Sequence, residues 1–332
     1  MKNSIQLSVR TLKNVVWLFC LALLFSCEAE PVLQEEINAA DLGVKKNHNI
    51  VDIVSTHMNI EVQSTIPSGW TTFRYDNRSH NPHFVLFDKL PEGKTVEDSK
   101  AEVVPVFQDI IDAIAQEDED ALNQALSELP AWSGEIIYSG GTGLLSPNHI
   151  SEITVYMEPG TYVLECYVKD SEGVFHATRG MITGMVVTED HNGNKEPKFT
   201  MEVRISSETG IEFDKKVRPG KHLIKAFFED QTVYTHFLGH DIHLVRLDEN
   251  TDLDELNSWM NWSDPNAFKT PAPEGVEFLG GMQDLPALEG KEESHVGYFD
   301  AHLKPGTYAF IAEVPDPMSK GMFEVFTVPS AR

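Results

Sequence analysis

The chain has 332 residues, with 52 acidic and 26 basic side chains, a formal net charge of −26 and three cysteines. That charge repels nucleic acid and favours cations or basic proteins, and the cysteine count excludes a disulfide-stapled scaffold. The length is enough for two ordinary domains, each with its own core. In chain order, Lys2, Arg10 and Lys13 precede the apolar run VVWLFCLALLF, which ends at Ser26-Cys27. This is the pattern of a secretory signal, too short to cross a bilayer as a stable helix.

The residues LFSC resemble the lipobox of bacterial lipoproteins. The resemblance implies that residues 1–26 leave as a lipoprotein signal peptide and that the Cys27 thiol carries diacylglycerol. The chain is then expected in the cell envelope, bound to a membrane through that lipid on the periplasmic or cell-surface side. Loss of Lys2, Arg10 and Lys13 moves the formal charge from −26 to −29. With Cys20 removed and Cys27 lipidated, Cys166 has no partner for an intramolecular disulfide. Residues 27–48 are polar and irregular and read as a flexible tether.

From about residue 50, short runs such as GWTTFRYDN, HFVLF, SEITVYM and GTYVLECYV alternate with Gly, Pro and Asn. Their period of two predicts antiparallel strands packed as a sandwich. The same order of signals then recurs. ISEITVYMEPGTYVLECYV is echoed by SHVGYFDAHLKPGTYAFIAEV, and RGMITGMVVT by KGMFEVFTV. Two copies of one domain are expected, at 49–190 and 198–332. In the first copy a helical insert is read from Val103, Phe107, Ile110, Ile111 and Ile114, with Pro105 at its start, and a second helix from Leu122, Ala125, Leu126 and Leu129. These faces are expected to pack on the sheet.

Cys166 closes an apolar strand, with His176 ten residues on and Met181 five beyond that. A lone cysteine in a β core commonly packs as a small hydrophobe. Taken with PHFVLFD at 82–88, PGTYVLEC at 159–166 and HATRGMITGMVV at 176–187, however, the chain resembles the cupredoxins, particularly the plastocyanin-like group. The resemblance implies an all-β fold of two tandem Greek-key β-sandwich domains and does not cover the short helical insert read in each copy. It implies one copper ion in the first domain, held by His83, Cys166, His176 and Met181, electron transfer, and a basic redox protein as partner. Two imidazoles and a thiolate with a weak thioether suit both oxidation states of copper. The alternative is a metal-free cupredoxin-like module used for structure or recognition in the envelope.

The sequence departs from the family in one place. Nine residues separate Cys166 from His176, where the family has only a few. The inserted YVKDSEGVF reads as a hairpin with Tyr167 and Val168 facing Val174 and Phe175, and Gly173 in its turn. Folded symmetrically, it places Cys166 directly opposite His176, with Cβ atoms about 4.5–5.5 Å apart. His80 reads as a loop residue, Met157 and Met185 as core, and Trp70 and Trp132 as packing.

In the second copy His243 falls on His83 and Met322 on Met181, but Ala312 replaces Cys166 and Pro317 replaces His176. The second domain is therefore expected to lack the Cys/His copper ligands. His236, His240 and His243 lie close together and read as hydrogen-bonding histidines, a weak metal pattern. The chain has no paired His-x-His, Gly-x-Ser-x-Gly or His-Glu-x-x-His motif, so no enzymatic activity is expected.

Overall fold

The computed structural model describes residues 50–232 and 239–330. The signal peptide, Cys27, the tether and His236 lie outside the described residues. From Ile50 onward the described residues belong to one compact unit.

Among the described residues, sixteen strands and four α-helices follow the order of the repeat. The first copy carries β1 (Ile50–Thr56), β2 (Asn59–Val62), β3 (Thr65–Asn77), β4 (His83–Lys89), β5 (Ile137–Leu145), β6 (His149–Met157), β7 (Gly160–Glu165) and β8 (Ile182–His191). The second carries β9 (Met201–Ser206), β10 (Gly210–Phe213), β11 (Gly220–Phe228), β12 (Ile242–Leu247), β13 (Val276–Met282), β14 (Val296–Leu303), β15 (Gly306–Ile311) and β16 (Phe323–Val328). In each copy the hairpin's first strand runs parallel to the third, β1 with β3 and β9 with β11. The third pairs antiparallel with the sixth, β3 with β6 and β11 with β14. The other layer is β5-β4-β7-β8 in the first copy and β13-β12-β15-β16 in the second. Each copy is thus a sandwich with its own helical insert: α1 (Val96–Glu102), α2 (Val104–Ala115) and α3 (Glu119–Glu128) in the first, α4 (Leu253–Trp259) in the second.

The strands form where the alternation placed them. β1 buries Val51, Ile53 and Ser55 and turns Asp52 to solvent. β4, HFVLFDK, is buried at six successive residues, because it runs between two neighbours with both faces covered. β3 serves both layers. Thr65–Ser68 pair with β8, and from Gly69 onward the strand pairs with β6. The crossing is made at Gly69, whose φ of +106° suits a residue without Cβ.

The two copies share their sheets. β6 pairs with β14 in one layer and β5 with β13 in the other, so both sheets run through the whole compact unit. In the helical insert, Thr95 and Asp98 cap α1 reciprocally and Pro105 stands in the first turn of α2. Ile110 is buried with Val106 and Ala125 in a small core between α2 and α3.

Candidate metal centre

His83 opens β4, Cys166 follows the last residue of β7, and His176 and Met181 flank the turn that leads into β8. All four are completely buried. Cys166 Sγ lies 3.6 Å from His83 Nδ1 and 3.6 Å from His176 Nδ1. The two rings meet edge to face with centroids 4.7 Å apart. One donor atom from each of the three residues falls within 4.8 Å of the others. Met181 closes the turn through its backbone: its amide donates to the His176 carbonyl at 2.9 Å, and its carbonyl accepts from the Cys166 amide at 3.2 Å.

The finger between Cys166 and His176 is folded in a different register from the one expected. His176 N–H donates to Val168 O, Asp170 N–H to Val174 O, and Lys169 bridges to Phe175. Val168, not Cys166, therefore stands opposite His176. The offset is two residues, and side chains in extended chain alternate with period two, so Cys166 and His176 keep the same face. The reason for the offset is the turn. Asp170 Oδ1 accepts from the amides of Glu172 and Val174, Gly173 takes φ +87°, and Arg179 holds the other carboxylate oxygen at 2.8 Å.

Burial sets the protonation of the group. It pushes the Cys166 thiol up to about 12, opposed by the amides of Phe84 and Val168, which hydrogen-bond to the sulfur. It lowers His83 to about 3 and His176 to about 4, so both imidazoles are neutral at pH 7, the form that ligates a metal. Nε2 of each ring is buried without a hydrogen-bond partner. Phe84 and Tyr75, whose hydroxyl is pushed up by burial and to a lesser degree by Cys166, were not singled out in the sequence, and Val168 was read only as a hairpin residue. Two act through backbone amides, and an inward tyrosine on β3 reads as core.

The second copy repeats the frame without the donors. The Ala312 amide donates to Met322 O and the Met322 amide to Pro317 O, the same two bonds that join Cys166, Met181 and His176. His243 occupies the place of His83, but its Nδ1 accepts from the Leu144 amide at 2.9 Å. Its proton therefore sits on Nε2, 2.6 Å from Asp241 Oδ2. Asp241 Oδ1 accepts from the Glu313 amide, and Glu313 Oε2 accepts from the Tyr167 hydroxyl at 3.0 Å. His240 lies 3.7 Å from Asp230. His80 is exposed beside His57, and Met157 and Met185 are core. Part of the helical insert does more than cover the sheet: Val103, Val104, Phe107 and Leu129 line a cavity between the two copies.

Among solved structures, an auracyanin from the photosynthetic bacterium Roseiflexus castenholzii is 25% identical over 42% of this chain and 97% of its own, with a TM-score of 0.26. The strand pairing described above makes each copy of this chain a β-sandwich. Auracyanin A of Chloroflexus aurantiacus, described as a blue copper protein, is 21% identical over 42% of this chain and 98% of its own, with a TM-score of 0.24. A multicopper oxidase is 12% identical over 84% of this chain and 88% of its own, with a TM-score of 0.22. No protein-family model and no curated protein matches the chain. The expectation of a non-enzymatic protein is corrected here. The solved structures similar to this chain include that oxidase and a copper nitrite reductase from Nitrosomonas europaea, 10% identical over 84% of this chain and 92% of its own with a TM-score of 0.20, both enzymes and both only distantly related to it.

Proposed function

We propose that His83, Cys166 and His176 bind one copper ion, with Met181 as a weak fourth donor, and that the chain transfers electrons. The observation that carries this is the pair of 3.6 Å separations between Cys166 Sγ and the two Nδ1 atoms. Nitrogen at about 2.0 Å and sulfur at about 2.3 Å from one centre, about 120° apart, stand about 3.7 Å from each other. The donor set is the one copper favours when it cycles between its two oxidation states. The residues hold a fixed frame. The strands carry His83 and Cys166, the Met181 backbone locks the turn, and the Phe84 and Val168 amides stabilise the thiolate. In this reading the chain is an exported lipoprotein, anchored to a membrane through Cys27, with domains at 49–190 and 198–332. Its acidic surface selects a basic redox partner.

Titration of the purified protein with Cu(II) is expected to give an intense visible thiolate-to-copper band at one equivalent, absent in Cys166→Ser and weakened in His176→Ala. A wild-type protein that gives no such band, and whose melting temperature copper does not change, would instead be a metal-free module.

A further inference from the structure

We propose that the cavity between the two copies binds a small organic ammonium compound, a protonated amine on an apolar body, independently of the metal centre. The cavity has a volume of about 150 Å³. Asp88 and Glu165 enter it from the first copy, and Asp241, Asp284 and Glu313 from the second. Among the described residues, none of the five carboxylates forms an ion pair with a lysine or arginine.

Carboxylates alone would carry no inference, but the cavity also holds buried polar atoms that lack a partner. Gln283 lines it completely buried, and neither its oxygen nor its nitrogen is hydrogen-bonded. Glu313 Oε1 and Asp88 Oδ1 are likewise buried and unbonded. A buried acceptor without a donor costs about 1–3 kcal/mol, so a ligand bringing N–H donors removes a standing penalty.

The geometry favours an organic cation over a metal ion. Asp88, Glu165 and Asp284 do not converge: among the described residues, the only donor groups of three within 4.8 Å of one another are His83–Cys166–His176 and Asp241–His243–Glu313. In the second of these the imidazole has no free lone pair, because Nδ1 accepts from Leu144 and Nε2 carries the proton toward Asp241. Apart from Ser99, Ser133 and Gln283, the rest of the wall is mainly aromatic and aliphatic, with Tyr138, Phe107, Phe175 and Trp262 beside Val103 and Ile136. Hard ions need a shell of oxygens. An alkyl or aryl ammonium instead places its charge among the carboxylates and against ring faces, and its body on the hydrocarbon.

The test is calorimetric titration of the copper-free full chain at pH 8, above the range in which Asp284 holds its proton, with benzylamine, with benzyl alcohol as the uncharged isostere and calcium chloride as the metal. Benzylamine is expected to bind at one site about tenfold or more tightly than benzyl alcohol, as a charge-assisted hydrogen bond requires, and calcium should not displace it. Glu313→Gln and Asp88→Asn should each weaken it severalfold. If one variant does not fold by circular dichroism, the other decides. Cys166→Ser should bind benzylamine unchanged, which separates this site from the metal centre. The proposal is overturned if benzylamine fails to bind, if the alcohol binds as well, if calcium displaces the amine, or if folded variants retain full affinity.

Discussion

Asp284 shows how a single side chain ties cavity to stability. Burial, with the charge of Asp241 as a smaller cause, raises its carboxyl from the ordinary aspartate range to about 7. The folded chain therefore holds this proton from about pH 4 to about pH 7, where the unfolded chain has released it. Stability contributed at this site falls as pH rises through that window, on the order of 2–4 kcal/mol in total. Asp284→Asn removes the dependence. Urea unfolding at pH 5 and pH 7.5 is expected to show a smaller pH difference for the variant, and a more stable variant at the higher pH. Equal pH dependence in both proteins would refute the assignment. Glu313, at the same wall, is pushed up by burial in the same sense.

At the scale of elements, the finger after Cys166 joins the metal centre to the second copy. Lys169 is completely buried, and its ammonium donates to the carbonyls of Trp262 and Asp264 at 2.6 Å each. Its own backbone bonds to Phe268 O and receives the Thr270 amide. Lys169→Met keeps most of the volume but removes the two hydrogen bonds made by the Lys169 Nζ, and should cost about 1–3 kcal/mol in urea unfolding. A loss below about 0.5 kcal/mol would show that these bonds merely replace bonds to water. The finger also marks what could be read from the sequence. Its existence, its turn glycine and the common face of Cys166 and His176 follow from alternation and turn chemistry. Its register does not, because the offset is set by Asp170 and Arg179 within the turn and by Gln108 Oε1, which accepts the Phe175 amide from a helix 67 residues away.

For the molecule as a whole, the seam between the copies rests on close backbone approach. A Cβ on Gly143 would lie 2.7 Å from the backbone of Gly280 and Gly281, where β5 meets β13. Gly143→Val should destabilise the protein by about 1–3 kcal/mol or more, whereas Gly134→Ala, with open space around it, should change little. Melting curves of both compare the two directly. Copper loading should raise the melting temperature by mass action and a chelator should reverse it. His83, 83 residues from Cys166, was joined to it only through the family resemblance, whereas the strands were legible because they depend on local alternation. The cavity was not, since Asp88 and Glu165 come together with Asp241, Asp284 and Glu313 only through the pairing of β5 with β13 and β6 with β14.

A half-molecule ending near residue 190 would contain every candidate metal donor of the first copy and yet be incomplete. Its β5 and β6 would expose bare edges, open to pairing with strands of other chains. Lys169 would face water instead of the two carbonyls that hold it. The copy without the thiol and second imidazole thus covers the strand edges of the other and holds its finger in place.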